Sequence, residues 1–112
     1  MKKTAANKKI TVNFALGYGG RDEIVRAIKK IPKAKIPGLD TKGFSAFLDT
    51  AGQPDPDLLV RTGGESRLSG FLLWQLEYTE LYFTSAFWPD FSPAEFAKAL
   101  KFYADRDRRF GK

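Results

Sequence analysis

The sequence predicts an α/β domain with a mainly parallel sheet of about three strands and flanking helices. Period-two apolar stretches alternate with stretches of helical period, in the order β-α-α-β-α-β-α. Glycine- and proline-rich connectors separate them. At 112 residues, 43% of them hydrophobic, the chain makes one unit over 1–112 with a modest core.

"KITVNFAL" alternates Ile10, Val12, Phe14 and Leu16 with Thr11, Asn13 and Ala15, the pattern of a strand. "GYGG" breaks it. "RDEIVRAIKKI" sets Ile24, Ile28 and Ile31 at helical spacing, with acids in the first turn and lysines in the last. "PKAKIPG" connects to "LDTKGFSAFLDTA", a short helix with Phe44, Phe47 and Leu48 on one face. "GQPDPD" is a loop, and "LLV" a short apolar strand ending at Arg61. Ser69 is placed to cap a short helix through "GFLLWQLEY", apolar nearly all round and therefore buried or facing a partner or ligand. "ELYFT" is a strand. In "FWPDFSPAEF", Ser92 at N-cap, Pro93 at N1 and Glu95 at N3 open the last helix. Phe96, Ala99, Leu100 and Tyr103 form its inner face.

Composition excludes several chemistries. There is no Cys and no His, which removes disulfides, thiol catalysis and the commonest general base. Any metal would meet oxygen ligands, so a hard cation such as Mg²⁺ is the expectation. No apolar run is long enough to span a bilayer, and "MKKTAANKKI" lacks the apolar stretch of a signal peptide. A cytoplasmic protein is the simplest inference. The net charge of +6 is concentrated at the two ends, which favours anionic partners: phosphates, nucleic acid or the surface of an anionic membrane.

The middle of the chain is different. Between Gly43 and Ala97 the only positive charges are Arg61 and Arg67, among eight acids. Both belong to "RTGGESR". Two guanidiniums grip phosphates bidentately, and adjacent glycines let backbone N–H groups approach an anion. With Ser69 adding a hydroxyl, the loop suits a diphosphate; the alternative is a tight turn whose arginines pair with nearby carboxylates. It follows a strand directly, where ligands sit in parallel sheets. "GYGGR", ending in Arg21, could also approach an anion, but a simple strand-to-helix turn explains it as well. Glu77 and Glu80 are either solvated charges or carboxylates for a cation. The aromatics from Phe71 to Phe91 suit core packing and are not interleaved with the basic runs, so nucleic acid is not the expected partner.

"DLLVRTGGESRLSGFLLWQLEYTELYFTSAFWPDF" closely resembles the cis-prenyltransferases of the undecaprenyl diphosphate synthase type. "NFALGYGGRDEIV" and "RDRRFG" match the same family in the right order. The resemblance implies Z-specific condensation of isopentenyl diphosphate with an allylic diphosphate, using Mg²⁺. Arg61, Arg67 and Ser69 are then binders of the isopentenyl diphosphate, with Glu65 inside the same motif. Glu80 corresponds to a Mg²⁺-binding glutamate. Arg109 and Gly111 correspond to a terminal Arg-x-Gly that in family dimers reaches across the interface toward the active site, and they join the implied isopentenyl diphosphate binders.

The resemblance also implies something missing. Family members carry an Asp-containing His-Gly-Asn-Gly-Arg-Trp motif for the allylic diphosphate in an N-terminal half, and this sequence has neither the motif nor any His. The expectation is the C-terminal half of a cis-prenyltransferase domain: a truncated chain, a natural split half or a remnant. It would act as a homodimer, or with a partner chain supplying the other half, in the cytoplasm or peripheral to a membrane. A non-catalytic partner subunit is the alternative.

Overall fold

The structure, a computed structural model, describes residues 2–107. Its sheet has two parallel strands, β1 (Leu58–Arg61) and β2 (Glu80–Phe83), paired from Leu58↔Glu80 to Arg61↔Phe83. Three α-helices lie among the described residues, α1 (Gly20–Lys30), α2 (Thr41–Ser45) and α3 (Pro93–Ala104), and α3 packs on β2. The fold class is α/β with a parallel sheet, as expected, with two strands among the described residues where about three were expected.

The missing strand is the 10–16 segment. Its residues form no strand, and Ile10, Val12, Phe14 and Leu16 are all strongly exposed, between 67% and 88%. Thr11, Asn13 and Ala15 are exposed too, so neither side of the segment is covered. Alternation suits a chain to a sheet face, but a strand also needs a neighbour for its backbone groups.

The second correction is at "GFLLWQLEY". It is a run of turns, not a helix, and Ser69 caps nothing. Ser69 (φ 49°), Gly70 (φ 80°) and Leu72 (φ 44°) are left-handed, which no right-handed helix accommodates. The cause is tertiary. The Gly20 N–H donates to the Gly70 carbonyl at 2.7 Å, pressing the start of α1 onto this turn. Gln75 and Leu76 are buried, but Phe71 and Leu73 remain exposed.

α1 brings Ile24 and Ile31 against the core, as the isoleucine spacing suggests, but not Ile28. Gly20, Glu23 and Ala27 are buried, while Ile28 is 56% exposed. Ala27 joins Phe44 and Leu48 in the core, with Ile24, Ile31, Leu39, Phe47 and Trp74 packed around them. Trp74 tilts onto Phe44 at 4.5 Å and donates its Nε1–H to Ser45 Oγ. Asp40 caps α2 by accepting from the Gly43 N–H at 2.7 Å.

α3 begins as its sequence dictates. Ser92 Oγ accepts from the Glu95 N–H and Pro93 occupies the first turn. Glu95 does not reach back to complete a capping box; its carboxylate pairs with Lys98. The helix meets β2 through Tyr82 and Phe102, with ring centres 5.2 Å apart. Ala99 is fully buried, but Phe96 and Leu100, also expected inside, are nearly half exposed.

The chain leaves much of itself wet. Its accessible surface is 9214 Å², against roughly 6,200 Å² for a closed monomer of this mass. Its radius of gyration is 16.7 Å, where a compact domain of this length would have about 13 Å. Among the described residues no helix is long and apolar enough to cross a membrane.

Candidate functional site

β1 delivers Arg61 to the carboxyl end of the sheet. The next residues turn sharply, and Gly63 (φ 93°) and Gly64 (φ 83°) are both left-handed. Glycine adopts that conformation without strain. Their N–H groups are not turned toward an anion. Gly63 N–H donates to the Ala86 carbonyl and Gly64 N–H to that of Thr84, extending the sheet's pairing past the strand ends. In this loop the glycines supply shape, and side chains supply the charge.

Those side chains gather as the sequence suggested. Arg61 Nη1 donates to the Arg67 carbonyl oxygen and to Ser69 Oγ, the latter at 3.1 Å. Arg67 Nη2 lies 2.7 Å from Glu65 Oε2, with both side chains more than half exposed. Arg61, Glu65, Arg67 and Ser69 thus share one surface at the end of β1. The ion pair of the alternative reading is present, but an exposed pair is worth only about 0–1 kcal/mol. The Arg67 guanidinium is thus weakly held, while that of Arg61 is anchored on the Arg67 backbone and Ser69.

Glu80 is not in this group. It starts β2 opposite Leu58, three residues from the register position of Arg61, or roughly 10 Å along the sheet. Its carboxylate accepts from Arg106 Nε at 3.2 Å, and Arg106 also stacks over Phe102. Among the described residues no cluster of three or more potential metal ligands exists. One carboxylate already bound to an arginine does not fit a Mg²⁺ site by itself. Glu77 is exposed, as is Arg21 at the start of α1. Arg109 and Gly111 lie outside the described residues.

Sequence reasoning missed the polar cluster behind the loop. Glu23 is 1% exposed and accepts from the Tyr18 hydroxyl, the Asp49 N–H and the Gln75 amide. Burial first, then the hydrogen bond to Glu23 and its charge, push the Tyr18 phenol up, so it remains a neutral donor. Arg26 grips Asp49 with two bonds of 2.8 and 2.7 Å and Asp22 with a third, tying α1 to the 49–53 turn. The hydrogen bond from Arg26 holds the Asp49 carboxyl below the usual carboxylate range. The available signal was the line Gly20, Glu23, Ala27, an acid flanked by two small residues on one helical face. A cleft of about 460 Å³ opens beside this cluster, between the uncovered 13–18 segment and the 53–56 turn.

Comparison with known proteins decides the family. The undecaprenyl diphosphate synthase family model (Prenyltransf) matches residues 1–111. The chain belongs to this family. It is 56% identical over 105 residues to the isoprenyl transferase of Aquifex aeolicus, covering 94% of this chain and 46% of that one. An isoprenyl transferase of Thermus thermophilus is 46% identical over 121 residues, with 99% and 46% covered. Among solved structures, lavandulyl diphosphate synthase from Lavandula x intermedia, in complex with dimethylallyl diphosphate, superposes with a TM-score of 0.80 at 44% identity. That match covers 87% of this chain and 44% of the other. A probable undecaprenyl diphosphate synthase from Campylobacter jejuni gives 0.81 at 38% identity, covering 99% and 52%. This family member therefore spans about half the length of the curated relatives it matches.

Proposed function

We propose that the chain carries the isopentenyl diphosphate site of a cis-prenyltransferase. It would condense that substrate with an allylic diphosphate when a second chain, or a second half of the domain, supplies the allylic site. The observation that carries the reading is the grouping of Arg61, Arg67 and Ser69 at the carboxyl end of β1, in a member of this family. Arg61 would hold one phosphate from its anchored position. Arg67 would swing from Glu65 to close on the other, and Ser69 would donate its hydroxyl. The surface excess supports a partner: the 10–16 segment and the outer face of α3 both lack cover within the chain.

Mg²⁺ belongs to this proposal only as an ion that neutralises diphosphate charge. Glu80 would be one oxygen donor, the rest coming from outside the described residues, and no step here depends on it.

Arg61→Ala and Arg67→Ala should each weaken diphosphate binding by about 2 kcal/mol, or some thirtyfold. Arg21→Ala should matter less, because Arg21 stands outside the hydrogen-bonded group. Calorimetric titration with isopentenyl diphosphate checks this. Small, equal effects at all three arginines would mean the loop is only a turn.

A further inference from the structure

Gln75 occupies a position where packing alone favours an apolar side chain. It lies between Trp74 and Leu76 and is 2% exposed. Its amide donates to both Glu23 oxygens, at 3.1 and 3.2 Å, and to Thr50 Oγ1 at 3.0 Å. Its own Oε1 is buried without a hydrogen-bond partner. A buried acceptor left unmet destabilises a fold, so burial does not explain this residue.

What precedes Gln75 explains it better. Ser69 and Leu72 hold left-handed conformations that side-chain-bearing residues seldom adopt and that persist only when their surroundings impose them. The imposing contacts come from α1 and its approach. Gly20 N–H holds Gly70, the Tyr18 ring meets Phe71 edge-on at 5.7 Å, and Glu23 holds Gln75. The last is a charge-assisted bond in a buried place, the strongest kind available here. The Leu76 N–H bonds the Leu72 carbonyl at 3.1 Å, so what fixes Gln75 also fixes the turn before it.

We propose that Gln75 is a positioning residue for the diphosphate site. Through Glu23 it pins the left-handed 69–72 turn against α1, which keeps the Ser69 hydroxyl beside the Arg61 guanidinium. The role rests on reading the 61–69 loop as a diphosphate site. A leucine would fill the same space but would leave the turn free to relax, moving Ser69 away from Arg61.

The test joins two measurements on the 112-residue chain: calorimetric affinity for inorganic pyrophosphate, and amide hydrogen exchange at Gly20, the donor to Gly70. Gln75→Leu should lower the affinity about tenfold and speed exchange at Gly20, while the Phe96 amide in α3 keeps its protection. Arg61→Ala should lower affinity and leave Gly20 exchange unchanged. Thr50→Val removes the other acceptor that aims the amide. It should shift both readouts the same way, about threefold, and decides the matter if Gln75→Leu does not fold. Wild-type affinity in a folded Gln75→Leu chain overturns the proposal, as does weakened binding with unchanged Gly20 exchange. A wild-type chain that binds no pyrophosphate removes the site and this role with it. That failure is seen before any variant is made, so the two are distinguishable.

Discussion

Supplied with isopentenyl diphosphate, an allylic diphosphate and Mg²⁺, this chain alone is expected to release no polyprenyl product. In the proposed reaction the chemical step would ionise the allylic diphosphate, and such a barrier falls only where positioned charges meet the departing group. The described residues offer one such place, the loop of Arg61, Arg67 and Ser69, and that is the place we propose for the other substrate. The other charged cluster, Arg26 with Asp22 and Asp49, is already closed by its own ion pairs. Losing even one preorganised donor costs on the order of 10²–10³-fold in rate, and a diphosphate site comprises several. Adding a chain with the N-terminal half of a close relative should restore product, and Arg61→Ala should abolish that rescue. Robust turnover by the 112 residues alone would refute the half-site reading. Absence of rescue would favour a non-catalytic partner subunit.

Gly20→Ala is expected to destabilise the chain by about 2 kcal/mol net, although alanine is the better helix former by up to ~1 kcal/mol. A Cβ built on Gly20 stands 2.7 Å from Leu73 Cγ and closer still to the Gly70 carbonyl oxygen. The nearer obstacle is backbone, which cannot rotate aside. The helix start must therefore withdraw, breaking the hydrogen bond from Gly20 to Gly70 as well. Overpacking costs about 1–3 kcal/mol and the lost bond about 1 more, so sterics outweigh propensity. A denaturation midpoint that falls at constant slope measures it. An unchanged or raised midpoint would show that α1 and the 69–72 turn do not touch as described.

Much of this was legible in the sequence where the cause is local. Ser92 and Pro93 mark the start of α3 because a cap and a fixed φ act within one turn. "LLV" and "ELYF" carry β1 and β2, and the spacing of Arg61, Arg67 and Ser69 brought them together because one loop contains all three. Where the cause lies far along the chain, reading failed. The 10–16 segment has a strand's pattern, but pattern does not supply a neighbour. Ser69 and Leu72 turn left-handed because α1, far earlier in the chain, leans on Gly70. Glu23 is buried because Gln75 reaches it across 52 positions, while its sequence surroundings suggest only an acid suited to a helix's first turn.

The uncovered surface has a thermodynamic consequence. A closed domain of this length would unfold with a heat-capacity increase of about 1.5 kcal/mol/K, because that increase tracks the apolar area newly wetted. Ile10, Val12, Phe14, Leu16, Phe87 and Trp88 are wet already, so much of that increment is absent. The stability curve of the isolated chain is correspondingly shallow, with little curvature between cold and warmth. In the complex proposed above, the missing curvature would be transferred to association, since covering apolar surface lowers heat capacity on binding. There, temperature would act less on whether this chain is folded than on how strongly its partner holds it.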